Sequence, residues 1–225
     1  MTSRYYSQET QTLTLPPPKA PHARNSAADT GSNPTPAFPL YAIVAQPWAN
    51  SLRSLVLRNR TLDMSFSLPE LVNDNPLPNL EELDLHNCGF MDRAPISWCK
   101  LGTDPEWLPR VRQEMLPLIV NLFPNLQILD LSENRLRRSF SETILRKLLY
   151  ATDGRRGLKC LRLRGNKLQD LNGLRAIASS SFDASKAFNA ALTLEELDVS
   201  YNDIVELPPG LGVLPLKRLS VEGNA

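Results

Sequence analysis

The chain has 225 residues, 42% of them hydrophobic, and its 25 basic and 24 acidic side chains leave a formal net charge of +1. This composition can supply a continuous core, and the balanced charge excludes a global attraction to nucleic acid or to an anionic membrane surface. No run of about 18 apolar residues predicts a membrane-spanning helix, and residues 1–15 lack the apolar run behind a basic end that would predict a secretory leader.

Cysteine and histidine usage favours a reducing compartment. The three cysteines, Cys88, Cys99 and Cys160, are an odd set without the clustering that staples the ends of extracellular repeat arrays. We therefore expect the protein in the cytoplasm, or also in the nucleus. His22 and His86 are isolated and the cysteines lack paired spacing, so neither a metal site nor a cofactor is predicted.

The first predicted element is an N-terminal arm over residues 1–38. It contains the Pro-rich stretches P-P-P-K-A-P and G-S-N-P-T-P and few large apolar side chains. Such a segment cannot bury enough surface to offset its ordering entropy, so we expect it to be disordered. Residues 39–51 belong to an apolar run, and we expect them to form the N-terminal cap of the element that follows.

A repeated motif, L-x-x-L-x-L-x-x-N-x-L, organises residues 52–225. Its second and third apolar positions are two residues apart and therefore project to the same face of a β-strand. Repetition of one strand motif at such spacings predicts a solenoid whose strands form one parallel sheet. The copies start at Leu52, Leu80, Leu126, Leu158, Leu194 and Leu216.

The variable length between copies falls on the convex side of the predicted solenoid. The stretch S-E-T-I-L-R-K-L-L-Y from Ser141 has a helix-starting residue and helical apolar spacing, which predicts a helix. A second helical face runs from Leu108 to Leu122, and we expect Pro117 to kink this helix or to end it near Leu116. The last interval, I-V-E-L-P-P-G-L-G-V-L-P-L, predicts an extended or 3₁₀ return. We therefore expect a mixed helical and irregular convex side.

One side chain per repeat is predicted to be buried where the chain leaves the strand. An asparagine amide can both donate and accept there, and so satisfies backbone groups of the turn and of the neighbouring repeat. The predicted ladder consists of Cys88, Asn134, Asn166, Asn202 and Asn224. Arg60 takes this position in the first repeat. Because a guanidinium does not fit an internal asparagine slot, we expect that turn to open to solvent.

These motifs resemble the leucine-rich repeat superfamily over residues 52–225. The resemblance implies an α/β fold, a right-handed solenoid with a parallel concave sheet. The closing segment, L-P-P-G-L-G-V-L-P-L-K-R-L-S-V-E-G-N, is similar to the terminal units of intracellular multi-repeat proteins, which bind other proteins. Those relatives continue into a C-terminal cap, whereas this chain stops at Ala225. The sequence therefore predicts either a truncated product or an uncovered edge, at Leu219 and Val221, that a partner covers.

Residues between the buried leucines are expected to face outward on the concave sheet, stacked in lanes about 4.8 Å apart. These lanes predict a polar docking surface for a folded protein partner. Tyrosine and arginine are favoured anchors in such surfaces. The alternative interpretation is that the concave charges only neutralise one another across strands. The predicted contact residues are Asp84, His86, Asp130, Arg162, Arg164, Asp198 and Tyr201.

A second candidate contact region lies in the longest interval between repeats. It contains Trp98 and Trp107, which are large apolar anchors unless they pack under the convex side. Arg162, Arg164 and nearby Lys159 form the strongest basic patch, but the aspartates beside it disfavour nucleic acid as a partner.

The resulting hypothesis is a non-catalytic adaptor or regulatory subunit. One alternative resembles the phosphatase-regulating class of intracellular repeat proteins, although their repeats are more regular than these. Another is a hydrolase with Ser132 as nucleophile, His86 as base and Asp84 as orienting group. No G-x-S-x-G turn or Gly-rich oxyanion loop accompanies Ser132, so no catalytic residue is predicted.

Overall fold

The structure, a computed structural model, describes residues 3–17, 39–61, 77–93, 114–138, 140–151, 156–175, 177, 192–209 and 211–225. Eight short strands lie in this part of the chain: β1 (Tyr6–Ser7), β2 (Thr12–Thr14), β3 (Ser54–Val56), β4 (Glu82–Asp84), β5 (Ile128–Asp130), β6 (Cys160–Arg162), β7 (Glu196–Asp198) and β8 (Arg218–Ser220). The helices are α1 (Leu40–Val44), α2 (Met115–Leu122) and α3 (Glu142–Leu149), with 3₁₀ turns at Ser3–Tyr5, Ala49–Ser51 and Leu211–Val213.

The strands form one sheet in chain order, and β2 to β8 are parallel. The middle residue of each parallel strand is a leucine, and the register places these leucines side by side. From β2 to β7 they are fully buried. The predicted leucine-rich repeat solenoid is therefore confirmed, with its apolar spine running under the sheet. The residues on either side of each leucine point to the opposite, concave face, because successive side chains along a strand point to opposite faces of the sheet.

Helices α2 and α3 lie on the convex side and return the chain to β5 and β6. Helix α3 begins as predicted, because the Ser141 hydroxyl accepts the backbone N–H of Ile144 at 3.4 Å. The last return is a 3₁₀ turn, also as predicted. Helix α2 begins at Met115 and continues through Pro117 to Leu122, so it does not end near Leu116, whereas residues 108–113 of the predicted helix lie outside the described part of the chain. Proline is tolerated there because the N–H groups of a first helical turn need no intrahelical partner.

The structure corrects the expectation of one disordered arm over residues 1–38. Residues 3–17 contain β1 and β2, and β2 pairs with β3, so a hairpin covers the edge of the first repeat. The side chain of Leu13 is 0% exposed and lies in the core. The short alternation T-L-T-L explains this, since Leu13 and Leu15 project inward while the threonines project outward. Residues 18–38 lie outside the described part of the chain.

Residues 39–51 pack beside this hairpin. Leu40, Ile43 and Ala49 are buried in the common core. The ring of Trp48 stacks on that of Tyr6, with 4.3 Å between their centroids. The segment that was expected to cap the array alone therefore shares this role with the N-terminal hairpin.

Each interior ladder asparagine bonds to backbone groups of two repeats. Asn166 donates through Nδ2 to the carbonyl of Leu163 and to that of Leu131 in the preceding repeat, both at 2.9 Å. Its Oδ1 accepts the backbone N–H of Leu136 at 3.0 Å. Corresponding bonds are made by Asn134, Asn202 and Asn224. Cys88 makes the corresponding donor contacts through Sγ, to the carbonyl of Leu57 at 2.9 Å and to that of His86 at 3.5 Å.

The first ladder position does not open to solvent as the sequence predicted. Arg60 is 3% exposed, and its guanidinium donates to the carbonyl of Pro16. The expectation failed because it took the first repeat for the end of the array, whereas β2 lies upstream of it. The carbonyls that follow β2 give the guanidinium a partner that a terminal repeat would lack.

Candidate functional site

The concave aspartates are tied to the backbone of their own strands. Asp84, Asp130 and Asp198 each accept, through Oδ1, the N–H of the residue two positions later, at 2.9–3.0 Å. This bond caps the end of the strand, where the sheet ladder no longer supplies an acceptor. Asp84 is only 2% exposed, and Asp130 is also buried. These carboxylates give the face negative charge but present little surface to a partner.

Cations from neighbouring strands lie beside the second carboxylate oxygen of Asp84 and of Asp130. Arg58 Nε donates to Asp84 Oδ2 at 2.5 Å, and this contact raises the pKa of Arg58 above its ordinary value. Arg162 approaches Asp130 Oδ2 more loosely, at 3.8 Å. Both guanidinium groups are about half exposed, so the accessible charge on this part of the face is mainly positive.

The residue before each ladder position has a positive φ. This left-handed conformation is found at Asn59, Asn87, Glu133, Gly165, Tyr201 and Gly223, with φ between 51° and 67°. Glycine and asparagine adopt it readily, whereas for other residues this conformation is less stable by about 1–2 kcal/mol. Glu133 and Tyr201 each extend toward the glycine of the next repeat: a Cβ on Gly223 would lie 2.9 Å from the Tyr201 ring. The Tyr201 ring therefore occupies space that a side chain at Gly223 would need, whereas the Glu133 carboxylate, at the end of a flexible side chain, can move away from Gly165.

Arg164 and Tyr201 form an exposed platform at the end of β6 and β7. The Arg164 guanidinium lies 3.9 Å from the centre of the Tyr201 ring and also bonds to Ser200 and Glu222. Tyr201 remains 49% exposed. Among the predicted contact residues, the structure brings these two into contact, as it does Arg162 with Asp130 and the His86 backbone with Asp84. His86 is half-buried on β4's side of the sheet, away from the platform.

A lane that the sequence analysis missed lies at the start of the strands. It contains Ile128 and Cys160, two residues before Asp130 and Arg162 and therefore on the same concave face. Together with Lys159 and Arg162 they line a depression of about 440 Å³, hereafter the strand-start groove. The alternation of the motif was the available signal, since it places this position outward in every copy.

The two described cysteines are free and buried. Burial raises the pKa of the Cys88 thiol to about 11. Burial also raises the pKa of Cys160 to about 11, and the nearby Glu196 carboxylate adds to this effect. Both thiols are therefore protonated and poor nucleophiles at neutral pH.

The contacts on this face do not assemble the hydrolase alternative. Within the described part of the chain, the Ser132 hydroxyl makes no hydrogen bond with His86. The Asp84 carboxylate bonds to the His86 backbone and to Arg58, so it does not orient the imidazole ring. Among the described residues, no group of three or more His, Cys, Asp or Glu side chains could hold a metal ion.

Trp98 and Trp107, the second candidate contact site, lie outside the described residues, as does Cys99. None of the described helices has the length and apolar character needed to cross a membrane.

Comparisons with solved structures give remote similarities. Pollen Receptor Kinase 3 is 19% identical over 77% of this chain and 64% of its own, with a TM-score of 0.38. The leucine-rich repeat ectodomain of the plant membrane receptor kinase GASSHO1/SCHENGEN3 from Arabidopsis thaliana, solved in complex with CASPARIAN STRIP INTEGRITY FACTOR 2, is 18% identical over 76% and 18%, with a TM-score of 0.38. A leucine-rich repeat protein of Leptospira interrogans is 26% identical over 79% and 44%, with a TM-score of 0.39. The chain thus spans less than two thirds of each.

Sequence comparisons give one clear result. No curated protein matches the chain significantly. The family model described as Leucine Rich Repeat matches residues 79–110, 125–148 and 193–214. Each matched stretch contains one strand of the parallel sheet, namely β4, β5 and β7. Because the matched repeats carry the same strand in the same register, with their leucines aligned in one buried spine, these three stretches are leucine-rich repeats within a leucine-rich repeat solenoid.

Proposed function

We propose that the protein is a non-catalytic adaptor or regulatory subunit that binds a folded protein partner on its concave face. Leucine-rich repeat domains generally mediate protein–protein interaction, and repeat solenoids offer extended concave surfaces for it. The observation that carries the proposal for this chain is the platform formed by Arg164 and Tyr201.

Tyr201 occupies a position that disfavours its residue type. A non-glycine residue in the left-handed region costs about 1–2 kcal/mol. An exposed cation–π contact such as that with Arg164 returns only about 0.5–1 kcal/mol. The equivalent positions after β6 and β8 are glycines. A half-exposed aromatic side chain at such a position is better explained by a contact outside the chain than by stability.

The accessible cations extend this platform along the sheet. Arg162 and Arg58 are about half exposed, and arginine is enriched at protein interfaces. The buried Asp84 holds the Arg58 guanidinium at 2.5 Å, whereas Arg162 approaches Asp130 only at 3.8 Å and so keeps donors for a partner. Trp98 and Trp107 stay a predicted second contact region.

The compartment proposed for this interaction is the cytoplasm. Two buried thiols, those of Cys88 and Cys160, are unpaired in the described part of the chain. Free buried cysteines are compatible with a reducing environment, which supports this proposal.

Site-directed photo-crosslinking tests the binding proposal. A benzoylphenylalanine introduced at Tyr201 should crosslink a discrete partner in a lysate of the source cells, identified by mass spectrometry. The same group at the exposed Lys147 on the convex helix α3 should not. Equal crosslinking from both positions would show that the concave face has no special role.

A matched pair of substitutions separates binding from folding. Tyr201→Asn should reduce capture of the crosslinked partner roughly tenfold, because an aromatic anchor is worth about 1–2 kcal/mol or more. Its free energy of unfolding should stay the same or rise by about 0.5 kcal/mol, because asparagine accepts the left-handed conformation. Glu133→Asn, at the equivalent position two repeats earlier, should leave capture unchanged. Unaltered capture by Tyr201→Asn would contradict the assignment of the platform.

A further inference from the structure

We infer that the strand-start groove is a subsite for an acidic, extended segment of the partner, one that places a carboxylate beside a small apolar side chain. This inference rests on the proposed function and deepens it, because it states the chemistry of what the concave face binds. It involves Lys159, Ile128 and Cys160, none of which the platform uses.

Carboxylates also line this groove, but each is already paired with a cation. Glu81 contacts Arg156 at 2.5 Å and Arg53 at 3.4 Å. Glu195 and Glu196 likewise contact cations on β8 or just before it, Lys217 at 2.8 Å and Arg218 at 3.3 Å. The hydrogen bond from Lys217 also holds the pKa of Glu195 below its ordinary value. Cations outside the groove therefore largely neutralise the three carboxylates that line it.

The two cations that line the groove retain donors. Arg162 has one long contact with Asp130, at 3.8 Å, and a guanidinium has five N–H donors. Lys159 is exposed, and its ammonium forms no ion pair within the described residues. Arg162 lies in β6 and Lys159 immediately precedes this strand, and both side chains line the same depression as Ile128. The groups in the groove that can still form hydrogen bonds are therefore positively charged donors.

A carboxylate satisfies these donors best. An ionised carboxylate only accepts hydrogen bonds and can accept two at once from a guanidinium. The half-buried Ile128 and the protonated Cys160 thiol provide an adjacent apolar surface of limited size. The groove also lies along the strand starts, so an extended segment can cross several repeats. These properties fit an acidic peptide segment with a small apolar residue next to the acid.

Fluorescence anisotropy with labelled model peptides tests the inference on the full chain. The probes are a fluorescein-labelled peptide of alternating Glu and Ala residues and its Lys and Ala counterpart. The acidic probe should bind roughly tenfold more tightly, because two favourable charge contacts replace two repulsive ones. Binding should weaken with added salt, which screens exposed charges. Equal affinity for both probes, or no measurable binding of the acidic one, would overturn the inference.

Charge reversals locate the binding. The double variant K159E/R162E should lower the affinity for the acidic probe roughly tenfold. The matched control R135E/K167E makes the same charge change at exposed positions that do not line the groove, and should alter the affinity less than about twofold. An equal loss in both variants would mean that net charge, not the groove, attracts the probe. Competition by equimolar inorganic phosphate would identify a simple anion site and would also overturn the peptide assignment.

The outcome is separable from the proposed function. Crosslinking at Tyr201 reports whether a partner lies on the concave face, whatever occupies the groove. A crosslinked partner together with no acidic preference would refute only the groove assignment. Thermal unfolding of each double variant checks that lost binding does not reflect lost folding.

Discussion

The interior ladder and the first repeat solve one problem in different ways. In both, the chain leaves a strand and exposes backbone groups to the core, which are costly unless they are hydrogen-bonded. Asn166 satisfies three such groups from two repeats. Arg60 reaches instead to a carbonyl of the N-terminal hairpin. The difference teaches that the slot requires a donor toward the upstream strand, and that what lies upstream decides which side chain can serve.

The strongest test of this comparison is removal of an interior amide. Asn166→Ala leaves a backbone N–H and two carbonyls without their partner, so it should lower the free energy of unfolding by about 3 kcal/mol. Asn224→Ala, at the half-buried last position, should cost about 1 kcal/mol because water can reach the same groups. Urea unfolding of the two variants measures both values. Equal losses would mean that burial does not set the value of a ladder bond.

Arg60 provides a test that links the first repeat to the hairpin. Arg60→Ala should lower the free energy of unfolding by about 2 kcal/mol, since it removes a buried donor and packed methylene groups. In a chain that lacks residues 1–17, the same substitution should cost clearly less, because the Pro16 carbonyl is already gone. Unfolding of the four chains gives the coupling between the two changes. Zero coupling would contradict the role assigned to the hairpin.

Cys88 represents the smallest expected effect, because a thiol is a weaker hydrogen-bond donor than an amide. Cys88→Ala should cost about 1 kcal/mol at neutral pH. The thiol has a folded-state pKa of about 11, above its ordinary value of 9.0, so its contribution is complete below pH 9.0 and is lost as the pH rises through about 11. The stability difference between the two chains should therefore shrink over that range. A difference that is constant with pH would argue against a buried, protonated thiol at this position.

The strand positions were predictable because the motif states them directly. Two leucines spaced two apart, repeated at Leu83 and Leu85 and again at Leu129 and Leu131, can be buried together only in a strand, and the register follows from aligning the copies. The N-terminal strand was missed because Leu13 and Leu15 are followed by consecutive prolines and match no full repeat. Local composition favoured disorder there, while pairing with β3 stabilises the strand.

The candidate site was predictable only in part. The lanes identified Arg164 and Tyr201 as outward residues, but their mutual contact depends on a turn in which Tyr201 has a positive φ. The aspartates were expected to face a partner, whereas the structure shows them bonded to backbone N–H groups two residues later. A sequence pattern gives the side of the sheet on which a residue lies. It does not give the partner that its side chain finds.

By itself, then, the sequence determined the repeat, the parallel sheet and the leucine spine, because every copy of the motif has the same spacing of apolar side chains and buries them in the same way. Tertiary structure alone decided that a hairpin covers the first repeat, that Arg60 is buried, and which concave charges remain accessible. Those outcomes depend on hydrogen bonds between residues 26 to 46 positions apart, such as Arg58 with Asp84 and Cys88 with Asn134. Such bonds form only when the stacked repeats bring their groups within reach, so no single stretch of sequence contains them.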